Sequence, residues 1–165
     1  MLRMAPAIFL IVLSLGIGTI GPAKADELGR ARAAFSKGDY VLAANILSPL
    51  AIRGNSRAQM LLGFFYENGF GVPQAYEIAV DLYQRAAVQG NPDAQSRLGL
   101  MYDKGHGISQ NVILAYKWLD LAAAHAPKSE RDYYIRLRNA VASKMSSRQI
   151  VEGQRRASSW APGRS

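Results

Sequence analysis

The chain has 165 residues, which suits one domain of ordinary size, and its 49% hydrophobic share argues against intrinsic disorder. It contains no cysteine, so disulfides and thiolate metal sites are excluded and packing alone must stabilise the fold. The net charge of +8 is uneven: residues 26–125 hold nine basic and nine acidic residues, whereas residues 126–165 hold nine basic and three acidic ones.

Residues 1–25 are predicted to be an export signal. Arg3 supplies the positive start, residues 7–20 form an uncharged apolar run, and Ala23 and Ala25 are the small residues that a signal peptidase reads. The run is shorter than the about 20 residues that a membrane span needs. We therefore expect cleavage near Ala25 and a periplasmic or secreted mature protein; the alternative is an uncleaved N-terminal anchor.

An internal repeat follows the export signal. Residues 55–90 align with residues 91–126 at an offset of 36, with twelve identical positions. A period of this length is typical of proteins built from stacked helix pairs. The segment over 26–54 keeps part of the pattern, because Ala43 and Ala51 lie 36 residues before alanines of the next copy. This segment is predicted to be a degenerate first repeat.

Each repeat is predicted to be a helix hairpin with a Gly-x-Gly turn. In the second copy Asn91 caps a first helix that runs to about Lys104, and a second helix covers residues 111–124. Both copies place a glycine inside the first helix, at a cost of about 1 kcal/mol relative to alanine, so we expect close approach of the partner helix there. The residues assigned to packing are Gly63, Tyr66, Gly69, Gly71, Ala79, Ala87, Gly99, Tyr102, Gly105, Gly107, Ala115, Trp118 and Ala123.

The repeated residues carry a family resemblance. The pattern A-Q-x-x-L-G-x-x-Y-x-x-G-x-G-[VI], followed by an alanine, an aromatic residue and A-A, covers Ala58 to Ala87 and Ala94 to Ala123. It resembles the Sel1-like repeat, a relative of the tetratricopeptide repeat. The resemblance implies an all-α fold, a short right-handed α-solenoid of antiparallel helix hairpins. It also implies a non-enzymatic scaffold for protein–protein interaction, in envelope signalling or assembly.

Residues 127–160 are predicted to form a C-terminal helical cap, because a repeat array needs a polar outer face at its ends. Ser129 is predicted to cap the first of its helices, and Ser146–Gln149 reads as a capping box before the last one. Residues 161–165 are expected to fray. An i, i+4 stripe is predicted at Tyr133, Leu137, Val141 and Met145, and the last helix is predicted to carry Ile150, Val151, Gln154, Ala157 and Trp160.

No catalytic chemistry is predicted. His106 lies in a repeat turn where the first copy has Phe70, and His125 lies near a helix end, where a cation suits the dipole. No Ser/His/Asp triad signature, zinc-protease motif or phosphate-binding loop is present. We expect no catalytic residue, cofactor or metal, and no nucleic-acid partner. A hydrolase of cell-wall or β-lactam substrates is the remote alternative.

A partner-binding groove is predicted on the first helices, which line one side of tetratricopeptide-like arrays. Positions that differ between the two copies and recur every four residues would form parallel rows for an extended peptide or a partner helix. The alternative is that half of them pack against the neighbouring hairpin. The six residues are Met60, Phe64, Asn68, Ser96, Leu100 and Lys104.

A basic patch at the C-terminal end is the second candidate site. Its excess of positive charge suggests an anionic partner, which in the envelope would be a lipid headgroup or an acidic polymer. The alternative is a solvated basic surface that aids solubility. The patch consists of Arg136, Arg138, Arg148, Arg155 and Arg156.

Overall fold

The structure is a computed structural model that describes residues 23–162, so most of the predicted export signal and of the tail lies outside the described residues. Within this range the chain forms eight α-helices and no strand, which confirms the all-α class. None of these helices has the length and apolar character needed to cross a bilayer. They are α1 (Ala23–Ser36), α2 (Tyr40–Ile52), α3 (Ser56–Asn68), α4 (Tyr76–Ala87), α5 (Pro92–Lys104), α6 (Val112–His125), α7 (Lys128–Ala142) and α8 (Ser147–Ser158).

The helices recur with a spacing of 36 residues. From α1 to α7 each helix packs against the next one along the chain, so that consecutive helices form a row of antiparallel hairpins. The spacing also holds beyond the last residue of the sequence repeat, because α7 begins 36 residues after α5. The first helices begin at Ser56, Pro92 and Lys128, and the second helices at Tyr40, Tyr76 and Val112.

Side chains cap the starts of most of the described helices. Asn91 accepts a hydrogen bond from the backbone N–H of Ala94 at 3.0 Å, which confirms its predicted role. Asn111 caps α6 in the same way, whereas Ala75 precedes α4 without a side-chain hydrogen bond. The two helices nevertheless begin at the same repeat position. Packing therefore sets this start, and the cap only strengthens it.

The Gly-x-Gly turn of each of the two full repeats lies on the start of the second helix of the preceding hairpin. Gly107 has a left-handed backbone (φ 67°), and a Cβ atom there would overlap the backbone of Tyr76. Gly71 makes the same close approach to Tyr40. The residue between the glycines adds an aromatic contact, since the ring of His106 lies 4.8 Å from that of Tyr76. His106 thus has a packing role.

A buried glutamine joins successive hairpins. The Gln95 side chain is fully buried, and its Nε2 donates to the carbonyl of Ala87 at 3.1 Å. Its Oε1 lies 3.0 Å from Nδ1 of His125, so Nδ1 must carry the proton that Oε1 accepts. Gln59 repeats the pattern one hairpin earlier, with Ala51 as acceptor and Gln89 as donor. Satisfied in this way, a buried amide is compatible with the core and fixes the register between hairpins.

The C-terminal cap differs from its prediction in α7. The helix begins at Lys128, after Pro127, without a side-chain cap, so the predicted cap at Ser129 is wrong. Ser129 lies inside the first turn because the helix follows the 36-residue spacing. Tyr133 is 51% exposed, whereas Tyr134 is buried and donates to Asp93 at 2.6 Å. The predicted apolar stripe was therefore misplaced by one residue at this position.

The last helix packs back onto α6. The capping box of Ser146 with Gln149 is confirmed. The buried residues of α8 are Gly153, which lies against the ring of Tyr116, and Ala157. Val151 on the same helix is 62% exposed. The main packing partner of both α7 and α8 is α6.

Gly99 provides a test of the close approach between α5 and α6. A Cβ atom there would lie 2.8 Å from Cγ of Leu119 and 3.0 Å from the carbonyl oxygen of Ala115. We expect Gly99→Ala to lower the free energy of unfolding by about 1–3 kcal/mol through overpacking. Urea denaturation measures the change.

The matched control is Gly29→Ala. This glycine also lies inside a helix, but a Cβ atom there would meet nothing within 4 Å. The same substitution should therefore stabilise α1, by about 0.5–1 kcal/mol. Equal effects of the two substitutions would show that helix propensity, and not contact with α6, governs the glycine in α5.

Candidate partner-binding groove

The first helices share one face, on which two adjoining cavities form a groove. The smaller cavity, of about 100 Å³, lies mainly between α1 and α3. The larger one, of about 420 Å³, extends from α1 and α3 to the starts of α5 and α7. Arg32 and Leu61 line both. The first-helix groove is defined by Ala31, Arg32, Phe35, Leu47, Arg57, Met60, Leu61, Phe64, Phe65, Asn91, Pro92, Asp93, Pro127 and Glu130.

The apolar end of the groove is built on aromatic packing. Phe35 contacts the rings of Tyr40, Phe65 and Phe70 at centroid distances of 5.3, 5.5 and 5.8 Å. Phe35 nevertheless keeps 36% of its surface exposed, at the edge of the cavity. Several ring contacts restrain its orientation, so this end offers a preformed apolar surface.

Phe64 is held in the groove by a polar network. The guanidinium of Arg97 lies over its ring at 4.7 Å and donates to Glu67 at 3.1 Å. The Glu67 carboxylate also accepts a 2.6 Å hydrogen bond from the hydroxyl of the fully buried Tyr83. Burial, helped by that bond, raises the pKa of Tyr83 well above its ordinary value. The hydroxyl therefore stays protonated and keeps donating.

Positive charge flanks the apolar surface. Arg32 and Arg57 line the groove, and within residues 27–162 neither has a carboxylate within 4 Å. Asp93 and Glu130 lie toward the opposite end, where Asp93 accepts a hydrogen bond from Tyr134. The cations thus adjoin the apolar end, while the acidic side chains lie toward α7.

Only some of the predicted groove residues line the groove in the structure. Met60 and Phe64 line the groove. Ser96 is 5% exposed and belongs to the packing between helices, so its assignment to the surface is wrong. Asn68 and Lys104 are exposed and Leu100 is half-buried, but none of the three lines either cavity. The groove is therefore displaced toward the N-terminal hairpin.

Of the residues that line the groove, the sequence analysis named only Met60 and Phe64; those it missed include Arg32, Phe35, Arg57 and Leu61. Leu61 carried a usable signal, since the other copy has Arg97 at the same repeat position. The residues of α1 gave no such sequence signal, because the first hairpin has too few residues identical to those of the other two hairpins.

The predicted packing residues occupy the helix interfaces and turns. Gly63 lies against the ring of Tyr83, and Gly69 and Gly105 end α3 and α5 in the left-handed conformation. Tyr66 and Tyr102 are half-buried. The remaining helical members are buried: Gly63, Ala79, Ala87, Gly99, Ala115, Trp118 and Ala123.

The basic patch is partly neutralised by acidic partners. Arg138 donates to Asp120 at 2.7 Å. Arg155 and Arg156 both donate to Glu152, and these hydrogen bonds lower its pKa to about 2. Arg136 on α7 and Arg148 on α8 are exposed and have no such partner within residues 27–162. The patch therefore offers less free charge than its sequence suggests.

The part of the chain between residues 27 and 162 holds no cluster of three or more His, Asp or Glu side chains suited to a metal ion.

Comparisons with known proteins agree on the repeat. The family model of the Sel1 repeat matches residues 56–91 and 92–126. A search of curated protein sequences finds no significant match.

Two solved structures share the fold. One is c5321, a protective antigen of uropathogenic Escherichia coli displaying an SLR fold, with a TM-score of 0.75 and 22% identity over 82% of this chain and 29% of that chain. The other is a Sel1 repeat protein from Oxalobacter formigenes, with a TM-score of 0.64 and 29% identity over 83% of this chain and 55% of that chain. The chain spans less than two thirds of either. The predicted short right-handed α-solenoid of helix hairpins is confirmed.

The polar network behind Phe64 generates a stability prediction. Glu67→Leu leaves the buried hydroxyl of Tyr83 without an acceptor, so we expect a loss of about 1–3 kcal/mol in the free energy of unfolding. Glu67→Gln retains an acceptor and loses only the ion pair with the partly exposed Arg97, which should cost below about 1 kcal/mol. Thermal and urea unfolding compare the variants. Similar losses in both would assign the stabilisation to the ion pair.

Proposed function

Since this chain carries two Sel1 repeats in a right-handed solenoid, we propose that it is a non-enzymatic scaffold that binds a protein partner in the first-helix groove. The observation that carries the proposal is the apolar surface of Phe35, Leu61 and Phe64 beside Arg32 and Arg57. A restrained aromatic surface costs little entropy when it binds, and guanidinium groups at its edge orient a ligand.

The chemistry of the groove favours an extended peptide with apolar side chains and neighbouring carboxylates. The cavity between α1 and α3 has room for one or two apolar side chains, and the larger cavity continues past α5. Arg32 lines both cavities and can pair with a carboxylate beside the buried side chain. The acidic end of the groove, at Asp93 and Glu130, would repel such a carboxylate and so fixes the direction of the peptide.

The proposed location is the periplasm or the cell exterior. It rests on the charged start, the apolar run and the small residues before Asp26. In that compartment a peptide-binding scaffold would serve envelope signalling or assembly.

Binding of anionic lipid or polymer by the C-terminal patch is the weaker alternative. Three of its five arginines already pair with Asp120 or Glu152. A polyanion would have to compete with these carboxylates. The apolar groove requires no such exchange, and no observation favours the hydrolase alternative.

The groove is tested by selecting peptides from a random displayed library against the full chain. We expect enriched peptides to combine apolar residues with Asp or Glu. Leu61→Asp should weaken their binding at least tenfold, or about 1.4 kcal/mol, because it places a charge in the apolar cavity. Arg57→Glu should weaken the acidic peptides selectively, and high salt should do the same. Fluorescence anisotropy measures the affinities.

Tyr133→Asp is the matched control. Tyr133 is an exposed apolar side chain, 51% accessible, on α7 and outside the groove. This variant should bind the selected peptides as the unmodified chain does. Circular dichroism checks that each variant keeps its helicity. Binding that survives both Leu61→Asp and Arg57→Glu would contradict the proposed site.

The location is tested by expressing the full chain in a Gram-negative host. We expect the product in the periplasmic fraction, with Asp26 as the first residue by mass spectrometry. Ala25→Arg should block cleavage, because signal peptidase requires a small residue at that position. A product that keeps residues 1–25 and stays in the cytoplasm would refute export.

A further inference from the structure

A second cleft lies on the other side of the solenoid, between the second helices α2 and α4. Its volume is about 260 Å³. Two of its large apolar side chains are unusually accessible, since Ile52 is 78% and Ile78 is 45% exposed. The second-helix cleft is lined by Ser48, Ala51, Ile52, Leu62, Tyr66, Ile78, Asp81, Leu82 and Arg85.

The same surface one repeat later is covered by the chain's own C-terminal helix. Adding 36 to the cleft positions gives Ala87, Val88, Leu98, Leu114, Trp118 and Leu121, among others, and these residues form or pack against one hydrophobic cluster. Ala157 of α8 belongs to that cluster, and Trp160 packs against it. The Trp160 ring lies 6.3 Å from that of Trp118 and 5.1 Å from that of His125.

Packing of α8 and Trp160 on the later surface explains why its apolar side chains are less exposed than those of the second-helix cleft. Val88 and Leu114 are half-buried, whereas Ile52 and Ile78 occupy the same repeat positions and are exposed. The chain therefore shows which ligand this type of cleft accepts. It is a helix that presents a small residue in its last turn and is followed, three positions after that residue and just beyond the helix end, by a tryptophan.

Charge distinguishes the open cleft from the covered one. At one position the covered surface has Lys117, and the open cleft has Asp81. Burial, together with the nearby charge of Arg156, lowers the pKa of Lys117. The positive charges of Lys117 and of Arg156 on α8 therefore repel each other in the covered surface. Asp81 forms a 3.7 Å ion pair with Arg85 on the same helix, but 68% of its side chain is exposed, so its carboxylate stays accessible to a basic helix.

We propose that the second-helix cleft docks a basic amphipathic helix of a protein partner that is followed directly by a tryptophan, with the tryptophan against Ile52, Ile78 and Leu82 and an arginine beside Asp81. The α8 of a second copy is not the proposed occupant, because Trp160 is already packed on Trp118 and His125. The cleft is separate from the first-helix groove, and neither proposal rests on the other.

The probe is a labelled synthetic peptide of residues 147–162, which carries three arginines, Ala157 and Trp160. Anisotropy titration with the full chain should give saturable binding. Ile78→Asp in the protein, or Trp160→Ala in the peptide, should weaken it at least tenfold. Asp81→Lys should weaken it severalfold, because the open cleft then carries the charge of the covered one.

Leu42→Asp is the control for Ile78→Asp. Leu42 occupies the same repeat position on α2, has a similar exposure of 46%, and does not line the cleft. It should leave peptide binding unchanged. Leu61→Asp, which alters the other groove, should also leave it unchanged.

Three results would overturn the proposal. The first is no saturable binding of the peptide. The second is binding that survives Ile78→Asp, which would indicate exchange with α8 on α6. The third is a dimer of the unmodified chain, seen by light scattering, that Ile78→Asp converts to monomer, because a second copy would then be the occupant.

Discussion

The fold depends on the contact between each Gly-x-Gly turn and the preceding hairpin. Gly71 lies against the backbone at Tyr40, and Gly107 lies against that at Tyr76, so closely that a single methyl group would overlap it. A left-handed φ at each of these glycines is required as well. Because the turn can seat in only one place, successive hairpins stack with one offset. The buried amides of Gln59 and Gln95 then reinforce that offset with directional hydrogen bonds.

One constant offset makes equivalent positions comparable across the molecule. Twelve equivalent positions carry identical residues in both repeats, and the glycines of the turns among them meet equivalent neighbours. Where equivalent residues differ, the neighbours differ: Leu61 lies in an open groove, whereas its counterpart Arg97 holds Phe64 and Glu67. In the same way Asp81 lies in an open cleft, whereas Lys117 lies near the charge of Arg156 on α8. The candidate binding surfaces therefore lie where equivalent positions of the two repeats carry different residues.

The C-terminal cap shows how such a solenoid ends. The start of α7 keeps the 36-residue spacing, although its residues no longer match the repeat. The following helix does not complete a hairpin and instead packs back on α6, where Gly153 admits the ring of Tyr116. The apolar surface of the last hairpin is thus covered by the chain itself. The corresponding surface one repeat earlier remains open.

The sequence alone determined the class of fold and the helix bounds of the two clear repeats. Identical residues at an offset of 36 indicate that the two positions have the same local environment. Caps such as Asn91 and Ser146 accept hydrogen bonds from backbone N–H groups only three residues further along the chain. Interactions over such short distances along the chain can be recognised without coordinates. The same holds for the Gly-x-Gly turns, whose backbone requirement is local.

Only the tertiary structure decided which surfaces stay open. The burial of Ser96, the exposure of Tyr133 and the position of the groove between α1 and α3 depend on helices distant in sequence. The return of α8 onto α6 likewise rests on contacts some 40 residues apart, such as that of Gln154 with Tyr116. Periodicity gives the face of a helix that is apolar, but another part of the chain determines whether that face is covered.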